Sequence, residues 1–203
     1  MKLRAYLVLC LLALALPMTA GGQECPPLID VPCFYNRMES SVWFGWHSQG
    51  SVSTLGQTIT LECPARIVGL DLQFVGGTMV EGDTVQVAIM SVDGRYRYGQ
   101  VVQTMPSWET RASFHCDLSG VSPMLAPGTY LIGATTHAPR YSALACCRIG
   151  DAYTGGQRMR SSGGLSGPWS ADPDYDLRFH IDLEAPPIAT AGVAWGSLHA
   201  WYR

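Results

Sequence analysis

Positive charge is scarce in this chain. Of 203 residues 13 are Lys or Arg, and only 14% are charged with either sign. After residue 4 every basic residue is an arginine, and none of them cluster. Nucleic-acid binding rests on clustered cations that displace counterions from phosphates, so this chemistry is excluded, as is polybasic membrane binding. Long apolar runs are missing beyond the first twenty-two residues, and no later stretch approaches the roughly 20 residues a transmembrane helix needs. The sequence also lacks Gly-x-Ser-x-Gly, His-Glu-x-x-His and a phosphate-cradling glycine loop, which removes the commonest hydrolase and nucleotide signatures. No Cys-x-x-Cys pair occurs, so zinc is a poor reading of its thiols. Long amphipathic helical patterns are absent as well.

What is present begins at the N-terminus. Lys2 and Arg4 precede an apolar run, Ala5 to Leu16, and Pro17 to Gly22 supply small residues for cleavage. Residues 1–22 are expected to be an export signal, leaving a soluble product that is secreted or held at the cell surface. The remainder keeps eleven arginines against sixteen acidic residues, a formal charge near −5. At about 180 residues it suits one domain with a core of its own.

Six cysteines follow the signal: Cys25, Cys33, Cys63, Cys116, Cys146 and Cys147. An even number in an exported chain is expected to form disulfides. Cys25 is expected to pair with Cys33 around a Pro-rich loop, with Cys63, Cys116 and one of Cys146 or Cys147 linking strands. Neighbouring side chains on a strand point to opposite faces, so Cys146 and Cys147 take different partners unless they form a vicinal bridge.

Twenty-two glycines and thirteen prolines, with 10% aromatic residues, suit short strands broken by turns. Alternation places strands at 58–61, 66–74, 84–92, 95–102, 112–118, 129–136, 145–149 and 176–183. In the second, Val68, Leu70, Leu72 and Phe74 are expected to face the core. In the third, Val85, Val87 and Ile89 share one face, and Asp93-Gly94 predicts a two-residue hairpin turn. About eight strands joined by turns predict an all-β, two-sheet antiparallel sandwich, a jelly roll or alternatively an immunoglobulin-like sandwich. The domain is expected to span 54–185, after a Cys-, Pro- and Trp-containing segment at 23–53 and before a linker and tail at 186–203. Residues 157–174 read as a long ordered loop, where binding sites tend to lie.

The candidate ligand platform is aromatic. Tyr141, Tyr153, Trp169 and Tyr175 fall in or beside the late loops, and Trp43, Phe44 and Trp46 in the N-terminal segment. Sugars stack their C–H faces on such rings while polar side chains take the hydroxyls. Gln157, Arg158, Arg160, Asp172 and Asp174 are the expected polar partners. The alternative for each tryptophan is core packing. Asp172, Asp174 and Asp176 alternate in one loop, a set of oxygens suited to calcium, against the competing reading of a polar turn. His115, Asp117, His180 and Asp182 could supply a base and its orienting carboxylate, to set against a non-catalytic role. They fall at alternating strand positions, which favours a sheet surface over a catalytic cleft.

Residues 54 to 184 resemble secreted bacterial jelly-roll modules of the carbohydrate-binding kind. The likeness rests on Gln57-Thr-Ile, Pro64-Ala-Arg-Ile-Val-Gly-Leu, Gly82-Asp-Thr-Val-Gln-Val, Leu125-Ala-Pro-Gly-Thr-Tyr130, Tyr153-Thr-Gly-Gly156, Trp169 and Asp176-Leu-Arg-Phe179. It implies a non-catalytic module that binds a glycan or another cell-surface component. The ending Trp195-Gly-Ser-Leu-His-Ala-Trp-Tyr-Arg203 is similar to short sorting endings of exported proteins in Gram-negative bacteria, which implies recognition by secretion or anchoring machinery. The expectations set beside this are a small extracellular hydrolase and a structural subunit of a surface assembly.

Overall fold

The computed structural model describes residues 26–30, 40–46, 52–77, 82–104, 112–136, 142–147 and 153–187, with backbone alone at 40–46, 52–53, 74–77, 112–113 and 142–147. Among the described residues thirteen strands run β1 (Leu28–Asp30), β2 (Ser40–Trp46), β3 (Val52–Leu61), β4 (Arg66–Gly77), β5 (Thr84–Ser91), β6 (Arg97–Thr104) and β7 (Ala112–Asp117). There follow β8 (Gly128–Thr136), β9 (Ser142–Cys147), β10 (Arg158–Ser161), β11 (Trp169–Asp172), β12 (Asp176–Leu177) and β13 (Phe179–Glu184). Among the described residues the one helical element is a 3₁₀ turn at Gly164–Ser166.

Every pairing is antiparallel. One sheet carries β1, β13, β4 and β7, with β9, β12 and part of β2. The other runs β11, β10, β3, β8, β5, β6. β2 joins β9 on one side and β3 on the other, so it bridges the two. The chain changes sheet between β3 and β4, β4 and β5, β6 and β7, and β7 and β8, the alternation a jelly roll requires.

The core lies between the sheets. Leu55 and Ile59 of β3, Val85, Val87 and Ile89 of β5 and Ile132 of β8 meet Ile67, Leu70 and Leu72 of β4, Phe114 of β7 and Ile181 of β13. The fold is thus the expected all-β two-sheet sandwich. Tyr130 closes one end, its hydroxyl donating to the Ala126 carbonyl at 2.8 Å, a phenol bonded back to backbone four residues upstream as in a tyrosine corner.

Three local expectations change. In β4, Asp182 faces Gly69 whereas Leu183 faces Ile67, so Val68 is an extra residue in a β-bulge. Ile67 therefore joins Leu70 and Leu72 in the core, and Val68 is only half-buried; a bulge shifts the two-residue alternation by one. The 91–96 turn is wider than two residues: the Ser91 N–H bonds the Tyr96 carbonyl at 2.9 Å, and the Asp93 carboxylate accepts the Arg95 N–H at 3.1 Å. Finally, the 157–174 segment is the β10–β11 hairpin with its 3₁₀ turn, not a loop.

That hairpin covers the outer face of the β5–β8 sheet. Ala88, Met90, Leu131, Met159 and Leu165 form a second cluster there, with Trp169 packed against it.

Candidate functional site

The residues proposed as a ligand platform separate into three places. The first is a buried ion pair. β10 and β11 register Arg158 opposite Asp172, and the Arg158 guanidinium pairs with the Asp172 carboxylate. Arg158 is 1% exposed, and its guanidinium lies 4.1 Å from the Tyr175 ring centroid. Arg160 adds a bond to the same carboxylate at 2.6 Å. Burial pushes the Asp172 carboxyl upward, but the two arginines outweigh it and hold it below its ordinary value. Arg158, Asp172 and Tyr175 are thus engaged with one another, and the ion pair ties β10 to β11 within the hairpin.

The second place is the Trp169 seat. A methyl group on Gly94 would come within 2.3 Å of the Trp169 ring, one on Gly133 within 3.0 Å and one on Gly56 within 3.1 Å. Gly56 and Gly133 are cross-strand neighbours on β3 and β8, so the indole lies over bare backbone. Its Nε1 is buried and has no hydrogen-bond partner among the described residues. Trp169 is a packing residue, and an open platform is not built on it.

The Asp172, Asp174 and Asp176 set does not converge. Asp176 is 2% exposed; its carboxylate accepts Gln57 Nε2 at 2.7 Å and the Tyr153 N–H at 2.8 Å. Gln57 returns the contact by accepting the Leu177 N–H at 2.9 Å. Asp172 is committed to the arginines and Asp174 is exposed. Among the described residues no three metal-ligating side chains are grouped to hold an ion, so the calcium expectation at this loop is withdrawn. Strand geometry explains it: Asp176 begins β12 and turns inward, whereas Asp172 ends β11.

Cys116, expected in a disulfide, is a free thiol. It points into the core from β7, where burial above all, and then the charge of Asp71, pushes the thiol up to about 12. Cys63 is disulfide-bonded, to a cysteine outside the described side chains. Cys25, Cys33 and Tyr141 lie outside the described residues, as do the side chains of Trp43, Phe44, Trp46, Cys146 and Cys147.

His115 and His180, the two described histidines, lie on the outer face of the other sheet. Register aligns Asp30, His180, Asp71 and His115 across β1, β13, β4 and β7. His115 Nδ1 is 2.9 Å from Asp71, and His180 is 3.3 Å from Asp182 and 3.7 Å from Asp30. Gly69 leaves the space: a methyl group there would meet the Asp182 carboxylate at 2.5 Å and the His115 ring at 3.0 Å. Asp117, in contrast, bonds Ser119, which with the Ser119 N–H holds its carboxyl low. His115 and His180 each have a carboxylate, but on an open sheet face.

The third place is a recess. A groove of about 540 Å³ is lined by β1, the end of β3, the Glu62–Ala65 turn, the 153–155 turn and Leu183. Its apolar wall is Leu28, Leu61, Ala65 and Leu183, and its polar groups come from Asp30, Thr60, Glu62, Tyr153 and Thr154. The 153–157 segment is laid along β3 by backbone and side-chain bonds. Thr60 Oγ1 donates to the Gly155 carbonyl at 2.7 Å, and Thr58 N–H to the Gln157 carbonyl at 2.9 Å. Gly156 has to be glycine there, because a methyl group would fall 1.7 Å from the Thr58 carbonyl oxygen.

Tyr153 stands in the groove wall with its ring edge-on to Phe179, centroids 5.9 Å apart. Its hydroxyl accepts the Thr60 N–H at 3.2 Å, which leaves the O–H to donate. Burial raises its titration above the ordinary phenol value, and the carboxylates of Asp176 and Glu62 add to this against the Thr60 N–H. Tyr153 alone of the expected platform lines this recess; Asp30, Thr60, Glu62 and Thr154 were not foreseen. Asp30 reaches it only through the pairing of β1 with β13, which no local pattern announces. A further unforeseen ring is Tyr96, 62% exposed, at the end of an edge-to-face row with Tyr98 and Tyr130.

Among the described residues no helix is long and apolar enough to cross a membrane. No protein-family model matches the chain, and none of the curated proteins matches it.

Proposed function

We propose that this protein is an exported, non-catalytic binding module whose ligand is a carbohydrate, held in the groove beside Tyr153. The observation that carries the reading is the composition of that recess: an apolar wall, one aromatic ring, two threonines and two carboxylates around about 540 Å³. Binding pockets generally combine apolar walls with a few placed polar groups, and sugars offer both C–H faces and hydroxyls to such a surface. The histidine–aspartate pairs lie on a flat face, which favours binding over hydrolysis, because catalysis needs converging groups in a cleft. Export is supported by the N-terminal pattern and by the disulfide at Cys63, a bond of oxidising compartments.

The test is a glycan array probed with the exported protein and with Thr154→Trp, an exposed position whose enlargement fills the groove. Binding that Thr154→Trp abolishes, with an unchanged melting curve, is the expected result. Silence of the wild type across the array, or release of new reducing ends from a bound glycan, would overturn the reading.

A further inference from the structure

We infer that Cys63 is bonded to Cys25, and that this disulfide is a covalent strap holding β1 in the wall of the groove, so that the recess is completed only in an oxidising compartment. The inference is independent of what the groove binds. Cys63 is disulfide-bonded, half-buried and one of the residues lining the groove. With Cys116 a free thiol in the core and Cys10 in the expected export signal, its partner is one of Cys25, Cys33, Cys146 and Cys147.

Strand register separates these four, because a disulfide needs Cα atoms within about 7 Å. Cys146 and Cys147 on β9 stand opposite Leu177 and Asp176, whereas Cys63 sits at the other end of β13, just before the pairing of Arg66 with Glu184. From Leu177 to Glu184 the chain advances about 20 Å at about 3.3 Å per residue, so both are out of reach. Cys33 belongs to the segment that leaves β1 at Asp30, opposite His180, and re-enters at Ser40, opposite Cys146. Both fixed ends of that segment lie away from Cys63. Cys25 is joined directly to Pro26, which lines the groove together with Cys63. Pro27 accepts the Leu183 N–H at 2.8 Å, beside the Glu184 and Arg66 pair. The register of β1 therefore favours this bond over the Cys25 to Cys33 loop expected from the sequence.

The strap matters because β1 is weakly held. It has three residues and pairs with β13 alone among the described residues, yet it supplies Leu28, Ile29 and Asp30 to the groove wall. Short edge strands open locally at little cost in free energy, and a cross-link at the entry to the strand confines that opening. A bond in a groove wall is also open to thiol–disulfide exchange. A dithiol reductant forms a mixed disulfide with one sulfur and releases the other as a thiol. Its second thiol then displaces the first cysteine, and two electrons have passed from the reductant, now a cyclic disulfide, to two cysteine thiols.

The test is peptide mapping of the unreduced exported protein, joined to hydrogen exchange at the Leu183 amide in wild type, Cys25→Ser, Cys63→Ser and the double variant. The expected result is a fragment joining Cys25 to Cys63. Exchange at Leu183 should be about tenfold or more faster in either single variant, equally fast in the double variant, and unchanged along β5. A fragment joining Cys63 to Cys33, Cys146 or Cys147 would overturn the pairing. The expected fragment with Leu183 exchange unchanged in the single variants would overturn the strap. Where a variant does not fold, the wild-type fragment and wild-type exchange before and after dithiothreitol decide both points.

Discussion

The two outer faces of the sandwich obey the same alternation and end differently. On the β5–β8 sheet the outward positions are Ala88, Met90, Leu131 and Gly133, and they are buried beneath Met159, Leu165 and Trp169. On the β4–β13 sheet the outward positions are Asp71, His115, His180 and Asp182, and they remain partly or largely open. Alternation fixes which residues share a face, while the chemistry of the outward set decides whether something must cover it. An apolar outward set requires a lid, and the β10–β11 hairpin supplies one. A charged set holds water, and its ion pairs add little.

The contrast is broken most directly at the lid. Trp169→Ala should cost about 3 kcal/mol, because a large ring leaves a seat that bare backbone cannot fill. Urea unfolding measures it, and a loss under about 1 kcal/mol would mean that the lid does not stabilise this face. Glycan binding in the groove should survive the change.

The hairpin's anchor comes next. Asp172→Ala takes a carboxylate away from the buried Arg158 guanidinium and should cost about 2 kcal/mol, less than a fully enclosed pair because Tyr175 stays beneath the guanidinium. The pH dependence has a definite sign. A carboxyl held below its unfolded value of about 4 contributes stability that is complete above that pH and is lost as pH falls through the lower folded value. Wild type should therefore lose more stability than Asp172→Ala between about pH 5 and pH 2, as thermal melts across that range would read.

On the open face, His115→Gln or Asp71→Asn should change stability by less than about 1 kcal/mol. A larger loss by the same urea assay would show that the exposed row is structural. Its neighbour on β7 gives the sharpest contrast of one strand's two sides. Cys116 should show no alkylation at pH 8 in the native protein and full alkylation in denaturant, by peptide mapping, since burial suppresses the thiolate. Native labelling would place this thiol outside the core.

Much of the sandwich was legible because strand periodicity and turn chemistry are local. Val85, Val87 and Ile89 point inward as their spacing predicts, and the Leu125–Tyr130 turn ends on the tyrosine that closes the core. The bulge at Val68 was not legible, because one inserted residue leaves an apolar sequence apolar and only the partner strand reveals the slip. The hairpin at 157–174 was hidden for a related reason: its strands of four residues are too short to show alternation, and the stretch between them is rich in Gly and Ser.

For the site the division is starker. Tyr153 stood out as an aromatic beside a Gly-Gly turn, and it does line the groove. Trp169 stood out more, and the fold uses it as a lid, since a tryptophan's sequence neighbours do not report the glycines at 56, 94 and 133 that receive it.

The sequence by itself determined the β class, the inward face of β5 and the scarcity of cations, all properties of composition or of neighbours within a few residues. Only the tertiary structure decided that Arg158 and Asp172 neutralise each other, that Cys116 faces the core, and that Asp30, Thr60, Glu62 and Tyr153 share one recess. Those arrangements join residues up to more than a hundred positions apart, and their distances are set by strand register, which no local pattern encodes.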